Sequence, residues 1–209
     1  MKSSHPVQPT SRAQAAAITR QRVIAAAEQS FLTAGWAGTT IRRVAQAANV
    51  SQETIYKGFG GKAALLKAVY DVRIAGDHAA IPIAERASIA RLRAATTPTE
   101  AAAAWAAHAL AILDNSAPIM ALALGAQAGE AELAEFIATT DAERLIGATN
   151  TANHWQQAGW LRVSLAEARD RIWLLGAPAS YQSLAALDWD AERRAAWYRD
   201  CLLGLVLNQ

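Results

Sequence analysis

Gln52, Glu53, Thr54, Tyr56 and Lys57 put five polar side chains within six positions of the amino-terminal third. Amide, carboxylate, hydroxyl, phenol and ammonium groups at that density suit hydrogen bonding to another surface. Ile55 and Phe59, at i and i+4, anchor the opposite side of the same helical stretch, so the polar groups project outward. A short helix with a polar tip, propped on a second helix, fits a DNA major groove about 12 Å wide.

The elements that must hold that helix are legible on either side of it. Ile41, Val44, Ala45 and Ala48 fall at i, i+3, i+4 and i+7, one apolar stripe on a helix of about two turns. Asn49 tolerates the left-handed conformation that ends such a helix, and Ser51 is a capping residue for the next. Glu53 stands only two positions after Ser51, so there is no full capping box; Thr54 takes the third helical position. The spacing predicts a helix-turn-helix. A glycine-rich corner and Lys62 follow at once.

Here the residues acquire a family likeness. Phe31 and Gly35, Thr39-Thr40, Val44-Ala45, Val50-Ser51, Tyr56, Phe59, Lys62 and Leu65-Leu66 stand in register with a known pattern. Over residues 20–70 the chain resembles the DNA-binding domain of the TetR family of transcriptional regulators. It departs at Asn49, where the family usually has glycine, and at Gly58, where a histidine or another side chain is common. The first departure is absorbed by the left-handed tolerance of Asn. The second removes one phosphate or base contact.

The resemblance implies double-stranded DNA as partner and gives roles to single residues. Lys62 opens the helix after the glycine corner, where its ammonium and the helix-start N–H groups can meet a phosphate. Tyr56 and Thr40 offer hydroxyls to phosphates, although Tyr56 can instead pack on the first helix and Thr40 can be a plain cap. Arg42 and Arg43 face away from the Ile41 stripe toward backbone or base edges. Gln52, Glu53, Thr54 and Lys57 are the base-reading candidates.

Charge points to the same third of the chain. Residues 1–70 carry nine Lys and Arg against Glu28 and Glu53, hence +7 of an overall +2; residues 71–209 carry −5. The opening MKSSHPVQPTSR lacks the apolar core of a secretory signal and reads as a disordered basic arm over 1–11. No run approaches 18 apolar residues without a polar break, so no membrane span is expected. Cys201 is the only cysteine, which excludes an internal disulfide and leaves the cytoplasm as the expected compartment.

Enzyme chemistry finds no support. Gly58-Phe59-Gly60-Gly61-Lys62 fails as a nucleotide phosphate loop, because Ala63 replaces the Ser or Thr and no strand precedes it. His5, His78, His108 and His154 have no metal-ligand spacing, and there is no Gly-x-Ser-x-Gly. No catalytic residue, metal or cofactor is expected.

The fold class expected is all-α: a three-helix domain with the helix-turn-helix, followed by a larger helical bundle. Alanine-rich stretches without β-branched runs favour helices throughout. The first helix runs over 12–34 and stops at Gly35; short ones follow at 41–48 and 52–58. The DNA-binding domain spans 12–70, its last helix continuing to about 79. The second domain, 80–209, has helices near 84–94, 98–115 and 119–127, the last two divided by Pro118. Others follow at 132–158, 166–176, 179–187 and 190–207. Asp170, Trp173, Pro178, Tyr181 and the Trp197-Tyr198 helix resemble a carboxy-terminal pattern of the same family.

That second domain is the expected seat of effector binding and dimerisation. Trp105, His108, Ile112, Met120, Leu124, Gln127, Trp155, Trp173 and Tyr181 set aromatic and isolated polar groups among alanines, the lining a helical pocket uses. The same residues could simply be core. A small apolar or aromatic effector is the expectation. Trp197, Cys201 and Leu205 recur at i, i+4 and i+8, and Leu202 widens that stripe into a candidate homodimer face. The resulting reading is a homodimeric repressor of an inverted-repeat operator, released by a small molecule. The alternative is an architectural DNA-binding protein of the same fold with no effector.

Overall fold

The computed structural model describes residues 11–79 and 81–208, and all its regular elements are helical. In chain order they are α1 (Ser11–Gly38), α2 (Ile41–Ala47), α3 (Gln52–Phe59), α4 (Lys62–Ala75) and, after a 3₁₀ turn at Ile83–Glu85, α5 (Ala87–Arg93). Then come α6 (Pro98–Ala126), α7 (Ala131–Gln157), α8 (Leu165–Leu175), α9 (Pro178–Ala185) and α10 (Ala191–Leu205). Of the arm expected over 1–11, residues 1–10 lie outside the described residues and Ser11 already belongs to α1. Two compact units result, Met1–Val69 and Tyr70–Gln209, with the division falling inside α4.

In the first unit the turns follow local chemistry. Gly35 leaves the helix of α1 with φ +68°, after which one more helical turn reaches Gly38. Thr40 and Ser51 cap α2 and α3 by accepting from the N–H of Arg43 and Thr54. Asn49 is the only described non-glycine residue with positive φ, +51°, and it carries the tight turn between them. Val23, Ile24, Ala27 and Phe31 of α1 are buried, as are Ile41, Val44, Ala45 and Ala48 of the second stripe, with Ile55 and Leu65 fully so. Burying a side chain of this size contributes about 1.5–3 kcal/mol. Helix α4 ends at Ala75 rather than near 79, because Gly76 takes φ +77° and returns its N–H to the Val72 and Arg73 carbonyls.

The second unit is built on α6, which packs against α5, α7, α9 and α10. Its core joins Trp105, Leu110 and Leu113 of α6 to Trp155, Ile172, Tyr181, Tyr198 and Leu202 from other helices. Pro118 does not divide this helix: α6 is continuous from Pro98 to Ala126. An interior proline costs about 3 kcal/mol. Here the residues that follow it, Ile119, Met120 and Ala123, are all buried, and that burial offsets the cost. By length and composition α6 could also cross a bilayer, contrary to the sequence expectation; in this fold it supplies eleven buried residues. The chain end is tied down by a single antiparallel bridge, Leu161 to Leu207, with Arg162 N–H donating to Val206 and Asn208 N–H to Trp160.

Candidate nucleic-acid interface

Helix α3 presents the predicted face. Gln52, Glu53, Thr54, Tyr56 and Lys57 are all exposed, while Ile55 between them is fully buried. The alternation is the direct result of a two-turn helix that docks through Ile55, with half-buried Phe59 one turn on along the same side. Glu53 and Lys57 bridge at 2.7 Å along the exposed side. Thr54 is drawn partly into the cap: its hydroxyl lies 2.9 Å from that of Ser51, which already accepts the Thr54 N–H at 3.1 Å. Tyr56 is 53% exposed, so its phenol does not pack away against α1. A Cβ at Gly58 would meet nothing within 4 Å, so packing does not demand that glycine.

On α2, Arg42 and Arg43 are exposed, as their positions off the buried stripe require. Arg43 spans the turn, donating from Nη1 to the Gly38 carbonyl at 2.8 Å. The Thr40 oxygen accepts the Arg43 N–H at 3.2 Å, which leaves its own proton to donate outward. Two further cations rest on rings. The Lys62 ammonium lies 3.9 Å from the centre of the Trp36 ring, and the Arg20 guanidinium 4.5 Å from that of Phe59. Arg20 also donates to the Gly58 carbonyl at 3.4 Å. The Arg20 contacts were not part of the sequence reading; only its place near the middle of a basic α1 hinted at them.

The residues expected to line an effector pocket are dispersed. Trp105, Met120, Trp155 and Tyr181 are buried in the unit's interior. Tyr181 donates its hydroxyl to Asp114, which Arg194 also pairs at 2.9 Å. Trp173 is half-buried, its indole N–H on the Asp141 carbonyl at 3.2 Å and Arg144 5.2 Å from its ring. Leu124 is half-buried, and Gln127 stands exposed at the end of α6, its amide on the Leu124 carbonyl. His108 and Ile112 border an open cleft of about 140 Å³ beside α5. Burial, then the neighbouring Arg91, holds the His108 imidazole below its ordinary pKa and therefore neutral at pH 7.

On α10 the expected stripe divides. Trp197 and Leu205 are exposed and Cys201 is half-buried between them. Leu202, expected to widen that stripe, is instead fully buried in its own subunit, because Tyr198 and Leu202 form the inward i, i+4 pair. Among the described residues no three His, Cys, Asp or Glu side chains gather as a metal site.

Comparison with known proteins follows the same division of the chain. The family model described as bacterial regulatory proteins, tetR family, matches residues 23–69. Searching curated proteins returns no match. Among solved structures, a TetR-family transcriptional regulator from Mesorhizobium loti is 18% identical, over 92% of this chain and 98% of that one, at a TM-score of 0.65. A TetR transcriptional regulator from Agrobacterium tumefaciens is 22% identical over 92% and 96%, TM-score 0.62. The structure described as the SmeT–triclosan complex is 19% identical over 92% and 93%, TM-score 0.66. At these identities the likeness is one of fold, with a helix-turn-helix domain followed by a helical domain. Residues 23–69 thus match the TetR family's DNA-binding segment, and along its length the chain shares the fold of solved TetR-family transcriptional regulators.

Proposed function

We infer that the protein is a repressor that grips an inverted-repeat operator as a two-fold homodimer and lets go when a small effector binds its second unit. The observation that carries the reading is the α3 face, five exposed polar side chains held out by one fully buried isoleucine, on a segment of net charge +7. Arg42, Arg43, Thr40 and Lys62 flank that face as phosphate partners, which position but do not specify. Gln52, Glu53, Thr54 and Lys57 read bases. In this reading a dimer places two such faces about one DNA turn apart, or a multiple of it, and the operator repeats with the same symmetry.

Release needs an effector whose affinity differs between the DNA-bound and unbound states. Helix α4 supports the coupling: Lys62 is its first residue, and Ile74 and Ala75, which line the cleft, are its last two. An effector touching that last turn acts on the helix that starts at the proposed phosphate contact. That one solved neighbour carries triclosan is a precedent in fold only.

The second reading, an architectural DNA-binding protein without an effector, is favoured by one observation. Trp105, Met120, Trp155 and Tyr181 are packed into a filled interior. One experiment separates the two. DNA retained by the purified full chain from its own genome is sequenced, and the recovered fragment is then challenged with small molecules. A repressor returns an inverted repeat and loses it to some compound; enrichment without a shared motif overturns the operator reading.

A further inference from the structure

The cleft beside α5 has a chemistry of its own. Ser88 and Arg91 lie at i, i+3 on α5, and His108, Ile112 and Asn115 share one face of α6, so two helices turn polar groups toward the same space. Its apolar wall comes from Ile74, Ile83 and Ile112, and no Asp or Glu lines it. Arg86 at its edge is committed to Asp77, with Nη1 to Oδ2 at 2.9 Å and Nη2 to Oδ1 at 3.0 Å, and to the Ala75 carbonyl at 2.8 Å. Its Nε is buried without a partner. Arg91 is not so committed. Among the described residues, the side chains of Ser88, Arg91, His108 and Asn115 have no hydrogen-bond or ion-pair partner.

Ser88 and His108 are half-buried and Arg91 and Asn115 reach water, so around three isoleucines stand four polar side chains that no protein group engages. The uncompensated charge is a guanidinium, whose planar fork matches a carboxylate. A carboxylate gains a charge-assisted pair with that water-facing fork that a neutral ligand does not, and a cation is repelled. Size sets a second limit: apolar cavities of about 150 Å³ accept a ring the size of benzene, and this cleft is about 140 Å³.

We propose that this cleft binds a small organic acid, its carboxylate on Arg91 with Ser88, His108 and Asn115 in reach, and its hydrocarbon body on Ile74, Ile83 and Ile112. The proposal rests on the effector reading above and gives it a chemical class: an anion with a compact apolar part, rather than a neutral aromatic.

The test is calorimetric titration of the full chain with benzoate and hexanoate, each beside its neutral counterpart, benzyl alcohol and hexan-1-ol, and beside inorganic phosphate. The acids are expected to bind at least about tenfold tighter than the alcohols, the margin of a charge-assisted contact, and tighter than phosphate, which has no apolar body. Arg91→Gln should abolish that preference, whereas Arg93→Gln, an exposed arginine of α5 that does not line the cleft, should keep it. Unmoved melting temperatures of both variants exclude misfolding as the cause. Equal binding of acids and alcohols, no heat from either acid at its solubility limit, phosphate binding as tightly as benzoate, or a preference that survives Arg91→Gln each overturns the proposal. Adding operator DNA separates the two readings. Acid binding through Arg91 that leaves DNA bound keeps the site and removes the release reading. Alcohols that release DNA while acids do not keep the release reading and remove the site.

Discussion

Lys62 and Trp36 are stacked: the ammonium lies 3.9 Å from the centre of an indole that is only 4% exposed and is itself parallel to the Phe31 ring at 6.0 Å. The ring quadrupole holds a cation at the first turn of α4 with about 0.5–2 kcal/mol, depending on how far water is excluded. A positioned charge is what a phosphate contact needs, since it reads no sequence but fixes register. Lys62→Ala is therefore expected to weaken binding to all DNA sequences alike and to lower the slope of log affinity against log salt by about one. Fluorescence anisotropy over a salt series checks it. A slope equal to the parent's sinks the assignment.

Glu53 and Lys57 pair at 2.7 Å, with side chains 72% and 76% exposed. An exposed i, i+4 pair contributes only about 0.3–0.5 kcal/mol to stability, so the residues are not there to hold α3 together. Replacing Lys57 or Gln52 by Ala should leave the melting temperature within a degree or so while changing base preference at particular operator positions by about 1–3 kcal/mol. A binding-site logo identical to the parent's for both variants would remove α3 as the reading helix.

The turn between α2 and α3 allows a sharp backbone test. Asn49 holds φ +51°, a conformation that costs a β-branched residue about 1–2 kcal/mol more than it costs Asn or Gly. Asn49→Gly should be close to neutral in a urea melt, and Asn49→Val should lose about that amount. Equal stability of the two variants would mean that the turn is not held in this conformation in solution.

These features were readable from sequence because they are local. The stripe Ile41, Val44, Ala45 and Ala48 is decided by helical period, Asn49 by backbone sterics and Ser51 by an N–H three residues away, and each stands as the spacing predicted. The second unit was less readable, because partners distant in sequence decide it. Whether Pro118 breaks α6 depends on burial of Ile119, Met120 and Ala123 by other helices. Whether Leu202 faces in or out depends on which side of α10 meets α6. The aromatic residues looked like a pocket lining because composition alone does not separate a lining from a packed interior. Arg91 and Ser88 carried a signal, i, i+3 on one short helix, but without α6 opposite them it pointed to nothing.

Burial pushes the Tyr198 hydroxyl up from 10.0 to about 12, and the hydroxyl has no hydrogen-bond partner among the described residues. Tyr70 is pushed up to about 12 by burial as well. Because the folded chain disfavours the phenolate, stability is unaffected by this group below pH 10 and is lost as pH rises through 12, where the unfolded chain ionises first. Tyr198→Phe removes one of these groups and no hydrogen bond. It should leave stability at pH 7 unchanged or raise it by about 1 kcal/mol, and move the midpoint of alkaline unfolding upward. Circular dichroism across pH 8–12 reads both. A variant less stable at pH 7 by a kilocalorie or more (about 1 kcal/mol is the net worth of a typical hydrogen bond) would mean the hydroxyl is satisfied in solution.

The proposed dimer rests on the outer side of α10, where Trp197 and Leu205 are 36% and 45% exposed with half-buried Cys201 between them. Truncation after Asp188 does not isolate that face. It would also delete Tyr198, Leu202, Val206 and Leu207, all fully buried in the same subunit, and so unfold the second unit. Point changes on the outer side separate the two effects. Leu205→Glu adds a charge that is solvated in a monomer but would be desolvated in a two-fold interface, where each copy meets its own twin and the cost is counted twice. The variant is expected to be monomeric by light scattering at micromolar concentration with its helical content intact. Its affinity for a full inverted repeat should fall to near that of the parent for a single half-site, since joining two half-sites is what raises overall affinity. Leu203→Glu supplies the contrast, because Leu203 packs against the core and its loss should lower helix content before it changes association. If Leu205→Glu stays dimeric and keeps full operator affinity, the subunits meet through another surface.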